Sequence, residues 1–314
     1  MPLDFPIVDA HQHFWDPRVN YYPWLCDERP IAFRYGNYAA IRKPYLPKDY
    51  LDSARPIEIA KTVYIEAEWN PQDPLGEMNY IETLRRESGF PSVAIAQAWL
   101  DREDCPVTLE ALAAKSFVRG IRHKPRANKL PSTGGPSNMN DSNWRQGYAQ
   151  LASHGLHFEL QTPWWHLHEA SRLASDFPNT LIVLNHTGLP SDRSDQGLTL
   201  WKQAMKTLAA QPNVAVKISG LGQANVPWSI SANREIVLTT IEIFGVERAM
   251  FASNFPVDSL CGSFATIFNG FDAIVSELSD ADRRALFRDN ALRIYRMSET
   301  LLNKGHGEHA MTKP

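Results

Sequence analysis

Cysteine is scarce in this chain. Cys26, Cys105 and Cys261 are odd in number and far apart, and none belongs to a Cys-x-x-Cys pair. That pattern excludes a disulfide framework and a thiolate zinc ribbon, and reads as reduced thiols in a cytoplasmic protein. No apolar run approaches the ~18 residues that a membrane helix requires. The stretch from Met1 to His11 has neither the cationic nor the apolar region of a signal peptide. Basic and acidic residues, 32 and 35 in number, are interspersed without a block or stripe, so nucleic acid is not an expected partner. No Gly-x-Gly-x-x-Gly follows the first apolar run, which argues against a dinucleotide fold.

What is present is a large apolar inventory, 43% of 314 residues, enough for one substantial core. Short β-rich runs alternate with helical spacing. Strands are expected at Pro6–Asp9, Ile59–Ala67, Ser92–Leu100, Phe117–His123, His157–Gln161, Leu181–Asn185, Val214–Ser219 and Ala249–Ser253. Between them lie helical segments at Leu75–Glu87, Thr108–Lys115, Asn143–His154, His166–Asp176, Leu198–Ala210 and Ile230–Phe244. Leu181–Asn185 is nearly all apolar, as a parallel strand buried on both faces should be. Eight strand–helix units over roughly 250 residues suit an α/β (β/α)₈ TIM barrel better than an open sheet. The expected organisation is one barrel over residues 1–297 and a polar tail over 298–314.

Phe14–Glu58 is far longer than the usual connection of about 4–6 residues. It is crowded with aromatics, Trp15, Tyr22, Trp24, Phe33 and Tyr35 among them. Leaving the first strand at its C-terminal end, it would cover the barrel mouth or serve packing alone.

Asp9-Ala-His-Gln-His follows the first strand directly. Side chains alternate along a strand, so His11 and His13 share a face and can bind one divalent ion or one polar substrate. The bland alternative is a pair of exposed turn histidines. The sixth strand then delivers Asn185-His186-Thr-Gly at its own C-terminal end, the face where barrel active sites gather. Three convergent imidazoles match the ligand chemistry of zinc.

The pieces Val8-Asp-Ala-His-Gln-His-Phe-Trp-Asp, Tyr22-Pro-Trp-Leu, Arg119-Gly-Ile-Arg-His, Asn185-His-Thr-Gly, Lys217-Ile-Ser-Gly-Leu and Asn290-Ala-Leu-Arg-Ile-Tyr span almost the whole chain. In this order they resemble the amidohydrolase superfamily, in particular its amidohydrolase 2 branch of sugar and dicarboxylate lactonases. The resemblance implies an amidohydrolase-like barrel acting on a small-molecule substrate. It places His11 and His13 on the first-strand ligand pair and His186 on the sixth-strand ligand, and admits a divalent metal, zinc first. Two positions depart from the pattern. Gln161 stands near the usual fifth-strand His, because His157 lies at the wrong end of its strand. Asn254 stands where the eighth-strand Asp normally activates water.

A carboxamide cannot accept a proton from water at neutral pH. The base is then His186, ranked first for its strand placement, or Asp258, or Glu66; Asp258 capping the following turn is the alternative for that residue. Arg122 and His123 end the fourth strand, so one of them should face the mouth and clamp a substrate carboxylate or polarise a carbonyl. A salt bridge to a neighbouring strand is the other reading. Lys217, in a strand expected to be buried, must reach the mouth or pair with a carboxylate. Trp24, Trp164 and Trp165 are expected as pocket walls, with Gln161, Glu66, Arg122 and His123 contacting substrate.

Three functions follow. The first is hydrolysis of a lactone of a sugar acid or carboxylated ring, with the carbonyl held by His11, His13 and Arg122 or by an ion they share. The second is a decarboxylase of an aromatic or similar acid. The third is a barrel that binds without catalysing. Substrate identity and oligomeric state, including whether the chain assembles at all, are not encoded in any motif here.

Overall fold

A computed structural model describes residues 3–298. Eight parallel strands stand side by side in chain order: β1 (Ile7–Gln12), β2 (Ile59–Ile65), β3 (Val93–Gln97), β4 (Val118–Arg122), β5 (His157–Leu160), β6 (Ile182–Leu184), β7 (Val214–Ile218) and β8 (Ala249–Phe251). The ring closes where β8 continues past its end. The Asn254 N–H donates to the His11 carbonyl at 2.8 Å, and the His13 N–H donates to the Phe255 carbonyl at 2.8 Å. This is the TIM barrel expected from the strand count. No described helix is long and apolar enough to cross a membrane. The expected tail, apart from Ser298, lies outside the described residues.

Two apolar layers hold the barrel. Inside it, Val8, Ala10, Val63, Ile65, Val93, Ile95, Val183, Ala215, Met250 and Ala252 pack together with Tyr295. Outside it, the opposite faces of the strands pack against the helices in a second, larger cluster. Most strands are therefore apolar on both faces and read as runs and not as alternations, whereas β5 alternates, with Phe158 and Leu160 outward and the buried polar pair His157 and Glu159 on its other face.

The helices carry their own start signals. Ser194, Ser229 and Ser263 each accept a backbone N–H at the start of the helices Asp195–Ala209, Ile230–Phe244 and Phe264–Ile274. The expected boundaries for Ile230–Phe244 are met. The helix expected at Asn143–His154 stops at Ala149 instead, and a turn through Gly155 (φ +64°) delivers β5. Phe264–Ile274 and the closing segment Asp280–Ile294 follow β8 and were not expected as helices. The first buries five large apolar side chains, Phe264, Ile267, Phe268, Phe271 and Ile274, on one stripe at helical spacing; the second is interrupted by a wider π-type turn at Ala285–Asp289.

Strand β1 is longer than expected and carries the irregularity that matters. Asp9 pairs with Thr62 and Gln12 with Tyr64, so three residues of β1 span two of β2. This bulge lets Val8 and Ala10 fill the barrel while Asp9 turns outward. There the Asp9 carboxylate accepts from Tyr50 Oη (2.9 Å), Ser253 Oγ (2.6 Å) and the Ser253 N–H (2.8 Å). Tyr50 belongs to the helix Pro47–Ala54 of the long insertion, and its ring meets Phe264 edge-on. The insertion thus has two halves. Residues around Trp24–Arg34 cover the mouth, and Pro47–Ala54 is part of the outer core.

Candidate active site

The first-strand histidines face one another at the C-terminal end of the barrel, His11 Nε2 to His13 Nε2 at 3.2 Å. His13 Nδ1 lies 2.8 Å from the Ile65 carbonyl, which only accepts, so the His13 proton sits on Nδ1 and its Nε2 lone pair takes the proton of His11 Nε2. The His11 ring lies 4.6 Å from that of His186, whose Nδ1 is 2.9 Å from Ser219 Oγ. His186 itself has φ +54° and Thr187 φ +51°, a left-handed turn that costs roughly 1–3 kcal/mol per residue and persists only where the surroundings enforce it. All three imidazoles are buried. Burial first, then neighbouring cations, hold His11 and His186 well below the usual histidine range and His13 down to about 3. They are neutral at neutral pH.

Arg122 is the most deeply buried cation of the cavity lining. It is 2% exposed, yet it lines the cavity. Its Nε contacts Glu66 Oε1 at 2.5 Å, Nη2 donates to the Glu66 carbonyl at 2.6 Å, and Nη1 donates to Gln161 Oε1 at 3.0 Å. Sequence left a clamp and a salt bridge as alternatives; the side chain is in a salt bridge while standing at the mouth. Burial, the largest single influence, pushes the Glu66 carboxyl up, but the charges of Arg122 and Lys124 and the hydrogen bonds from Glu68 and Arg122 together outweigh it and leave the group below its ordinary value. Glu66 Oε2 meanwhile accepts the Glu68 N–H at 2.7 Å.

The mouth cavity, about 230 Å³, is lined by His13, Glu66, Arg122, Gln161, His186 and Asn254, with Trp24 and Arg34 of the insertion. Other expected site residues fall outside its lining. His123 is held on the Leu100 N–H at 3.1 Å and stacks near Trp144, because β4 ends with Arg122 inward and its successor turned toward the helix layer. Trp164 is buried behind the wall, against Trp165. His11 lies one layer below His13. Asp258 is sealed off: its Oδ1 accepts from Asn254 Nδ2 (2.6 Å) and Tyr35 Oη (2.8 Å), and burial raises its carboxyl to about 6 against the opposing charge of Arg34.

A buried network supports this layer from beneath. Lys217, fully buried, pairs with Glu159 at 2.8 Å, which answers the question the sequence posed about that lysine. Tyr295 Oη and Asn185 Nδ2 also donate to Glu159, at 2.6 and 2.5 Å, and His157 lies at its foot beside Tyr295. Sequence reasoning missed Ser219, Glu159, Tyr35 and Arg34. Ser219 and Glu159 carried a signal, being polar residues in or just after apolar strands. Arg34 and Tyr35 carried none, since a loop discloses no direction.

The donor set meets part of what a metal ion requires. Two nitrogens about 2.0–2.1 Å from one tetrahedral zinc lie roughly 3.3–3.4 Å apart, close to the His11–His13 separation. The set stops there. Gln161 is committed to Arg122, Glu66 to Arg122 and Glu68, and Asp258 to Asn254 and Tyr35. Among the described residues no group of three or more His, Cys, Asp or Glu is spaced to hold an ion. Of the expected ligand trio, His11 and His13 lie nearest one another and the His11 ring stands beside that of His186, without the three being spaced as a ready-made ion site.

Comparison with known proteins agrees with this architecture. The chain is 40% identical over 301 residues to the uncharacterized protein y4mH of Sinorhizobium fredii, covering 94% of this chain and 99% of that one. It is 26% identical over 310 residues to an L-fucono-1,5-lactonase of Burkholderia multivorans, covering 93% and 96%. A crystal structure of an amidohydrolase from Burkholderia multivorans with bound HEPES superposes with a TM-score of 0.78 at 23% identity, covering 94% and 100%; a crystal form of that protein with bound zinc gives 0.76 at 22%. The amidohydrolase (Amidohydro_2) family model matches residues 8–297, and the chain belongs to that family.

Proposed function

We propose that this enzyme opens a lactone, the cyclic ester of a sugar acid or a carboxylated ring, by adding water to its carbonyl. The observation that carries the reading is a guanidinium, Arg122, fixed on four acceptors beside a neutral His186 in one cavity. The name of the L-fucono-1,5-lactonase relative supports the same chemistry. Of the candidate bases, Glu66 has both oxygens engaged and Asp258 is screened by Asn254 and Tyr35. His186 lines the cavity, and with its Nδ1–H donating to Ser219 the Nε2 lone pair is free.

His186 Nε2 takes a proton from water as the water oxygen bonds to the carbonyl carbon. The carbonyl π electrons move to oxygen, where the Arg122 guanidinium stabilises the developing charge. The ring C–O bond then breaks, the carbonyl re-forms, and the proton on His186 passes to the departing alkoxide. Asn254, its amide nitrogen held by Asp258, presents its carbonyl oxygen to the water. His13, fixed by Ile65 and His11, walls the opposite side.

The test is a lactone panel assayed with and without chelator, alongside elemental analysis of the purified protein. Ring opening that survives chelation is expected. Carbon dioxide release without ring opening would overturn the reading in favour of decarboxylation. Ligand binding with no turnover across the panel would overturn it in favour of a binding barrel.

A further inference from the structure

A second cavity, about 530 Å³, adjoins the first, and Arg34 lines both. Its wall includes Leu189, Pro190 and Ser191, the continuation of the loop that carries His186. The junction is close. A Cβ on Gly220 would fall 2.5 Å from His186 Nδ1 and 2.6 Å from Arg34 Nη2, so only a glycine, here at φ +60°, lets those two groups approach.

The charge of this cavity is one-sided. Arg34, Lys129 and Arg193 line it, and its lining contains no aspartate or glutamate. Glu66 neutralises Arg122 and Glu68 neutralises Lys124, but none of these three cations has an ion-pair partner among the described residues. Arg193 is the most telling. Its Nη atoms donate only to the backbone carbonyls of Ala232 and Leu221, both at 3.1 Å, and its buried Nε has no partner. The buried indole Nε1 of Trp165, in the same lining, is also a donor without an acceptor. Both donor atoms are shut off from solvent, so what the cavity offers a ligand is the charge of the Arg34, Arg193 and Lys129 side chains that line it. Planar guanidinium forks suit an oxyanion.

We propose that this second cavity is a subsite for an anionic substituent of the substrate, a carboxylate carried by the lactone ring or its side chain, selected by Arg34, Arg193 and Lys129. Arg34 bridges the two chambers, so the reacting carbonyl sits beside Arg122 and His186 while the charged group reaches across. Turnover in this scheme rests on the lactone-opening reading; binding does not.

The experiment compares D-galactono-1,4-lactone with its carboxylated counterpart D-galactaro-1,4-lactone, and measures D-galactarate and D-galactonate binding by calorimetry. The wild-type protein should favour the carboxylated lactone by about tenfold or more in kcat/KM, mostly through KM, and bind galactarate more tightly than galactonate. Arg193→Met should bring both preferences toward one. Lys129→Glu, an exposed change with no hydrogen bond to lose, should do the same if Arg193→Met fails to fold. Equal handling of the two lactones by the wild-type protein, or a preference unmoved in both variants, overturns the subsite while leaving hydrolysis intact. Charge-dependent galactarate binding without turnover of any lactone supports the subsite and overturns hydrolysis. Inorganic phosphate displacing galactarate fully, with no preference between the two lactones, would make the cavity a free-phosphate site and overturn its role in substrate selection.

Discussion

Replacing Glu66 with Gln should separate what Arg122 does for stability from what it does for chemistry. The Arg122 side chain is 3% exposed and that of Glu66 1%, so their pair is screened by almost no water. Removing one member of such a pair leaves a buried charge uncompensated, at a cost of about 3–5 kcal/mol. An unfolding entropy of roughly 2.1 cal/mol/K per residue over a chain of this size converts that loss to a fall in Tm of about 5–8 °C. The double variant Glu66→Gln/Arg122→Met removes both charges and should recover most of that stability, because the desolvation cost of both ions disappears with their attraction. Activity should behave differently. Without the guanidinium the carbonyl oxygen loses its charged donor, and kcat should fall by about 10²–10³-fold in the double variant although it is well folded. Thermal melts and urea titrations read the first quantity, and lactone kinetics the second. A double variant no more stable than Glu66→Gln refutes the ion-pair reasoning. A double variant with full activity refutes the role given to Arg122.

His186→Ala should lower turnover by about 10²–10⁴-fold at little cost in Tm, since it removes the proton acceptor; near-normal lactone opening would exclude His186 as the base. Gly220→Ala should lose both activity and stability, because its Cβ would displace the His186 ring and the residue would hold a positive φ; its melt should fall by the equivalent of about 1–2 kcal/mol, and unchanged kinetics would refute the close approach. Asp258 has a folded pKa raised from 3.8 to about 6, so the native state holds its proton more tightly than the unfolded chain does. The stability this contributes is complete below pH 3.8 and is lost as pH rises through about 6, a term of roughly 3 kcal/mol. Asp258→Asn should remove that term, flattening the pH dependence of urea unfolding between pH 4 and 7; an unaltered slope would show that the carboxyl is not the titrating group.

Strand number, the placing of each strand within a few residues, and the convergence of His11, His13 and His186 were legible in the sequence. They rest on local properties, namely apolar runs of strand length and polar residues at the strand ends. The same locality explains the misses. Helix Phe264–Ile274 is the exception, since Phe264, Ile267, Phe268, Phe271 and Ile274 form one buried stripe at helical spacing. His123 and Arg122 are adjacent, and nothing in Arg-His says which one turns inward until the β4 register fixes it. Composition and motif order by themselves determined a barrel of this family and the face on which its chemistry lies, because period and strand order are written into the chain. Only the tertiary structure decided that His11 and His13 meet through their Nε2 atoms beside His186, that Arg122 is paired while lining the cavity, and that Arg34 joins two cavities. Those are questions of side-chain direction and of which partner reaches a group first. Most of those partners, such as Glu66 for Arg122 and Ser219 for His186, are distant in the chain and meet once the barrel has closed.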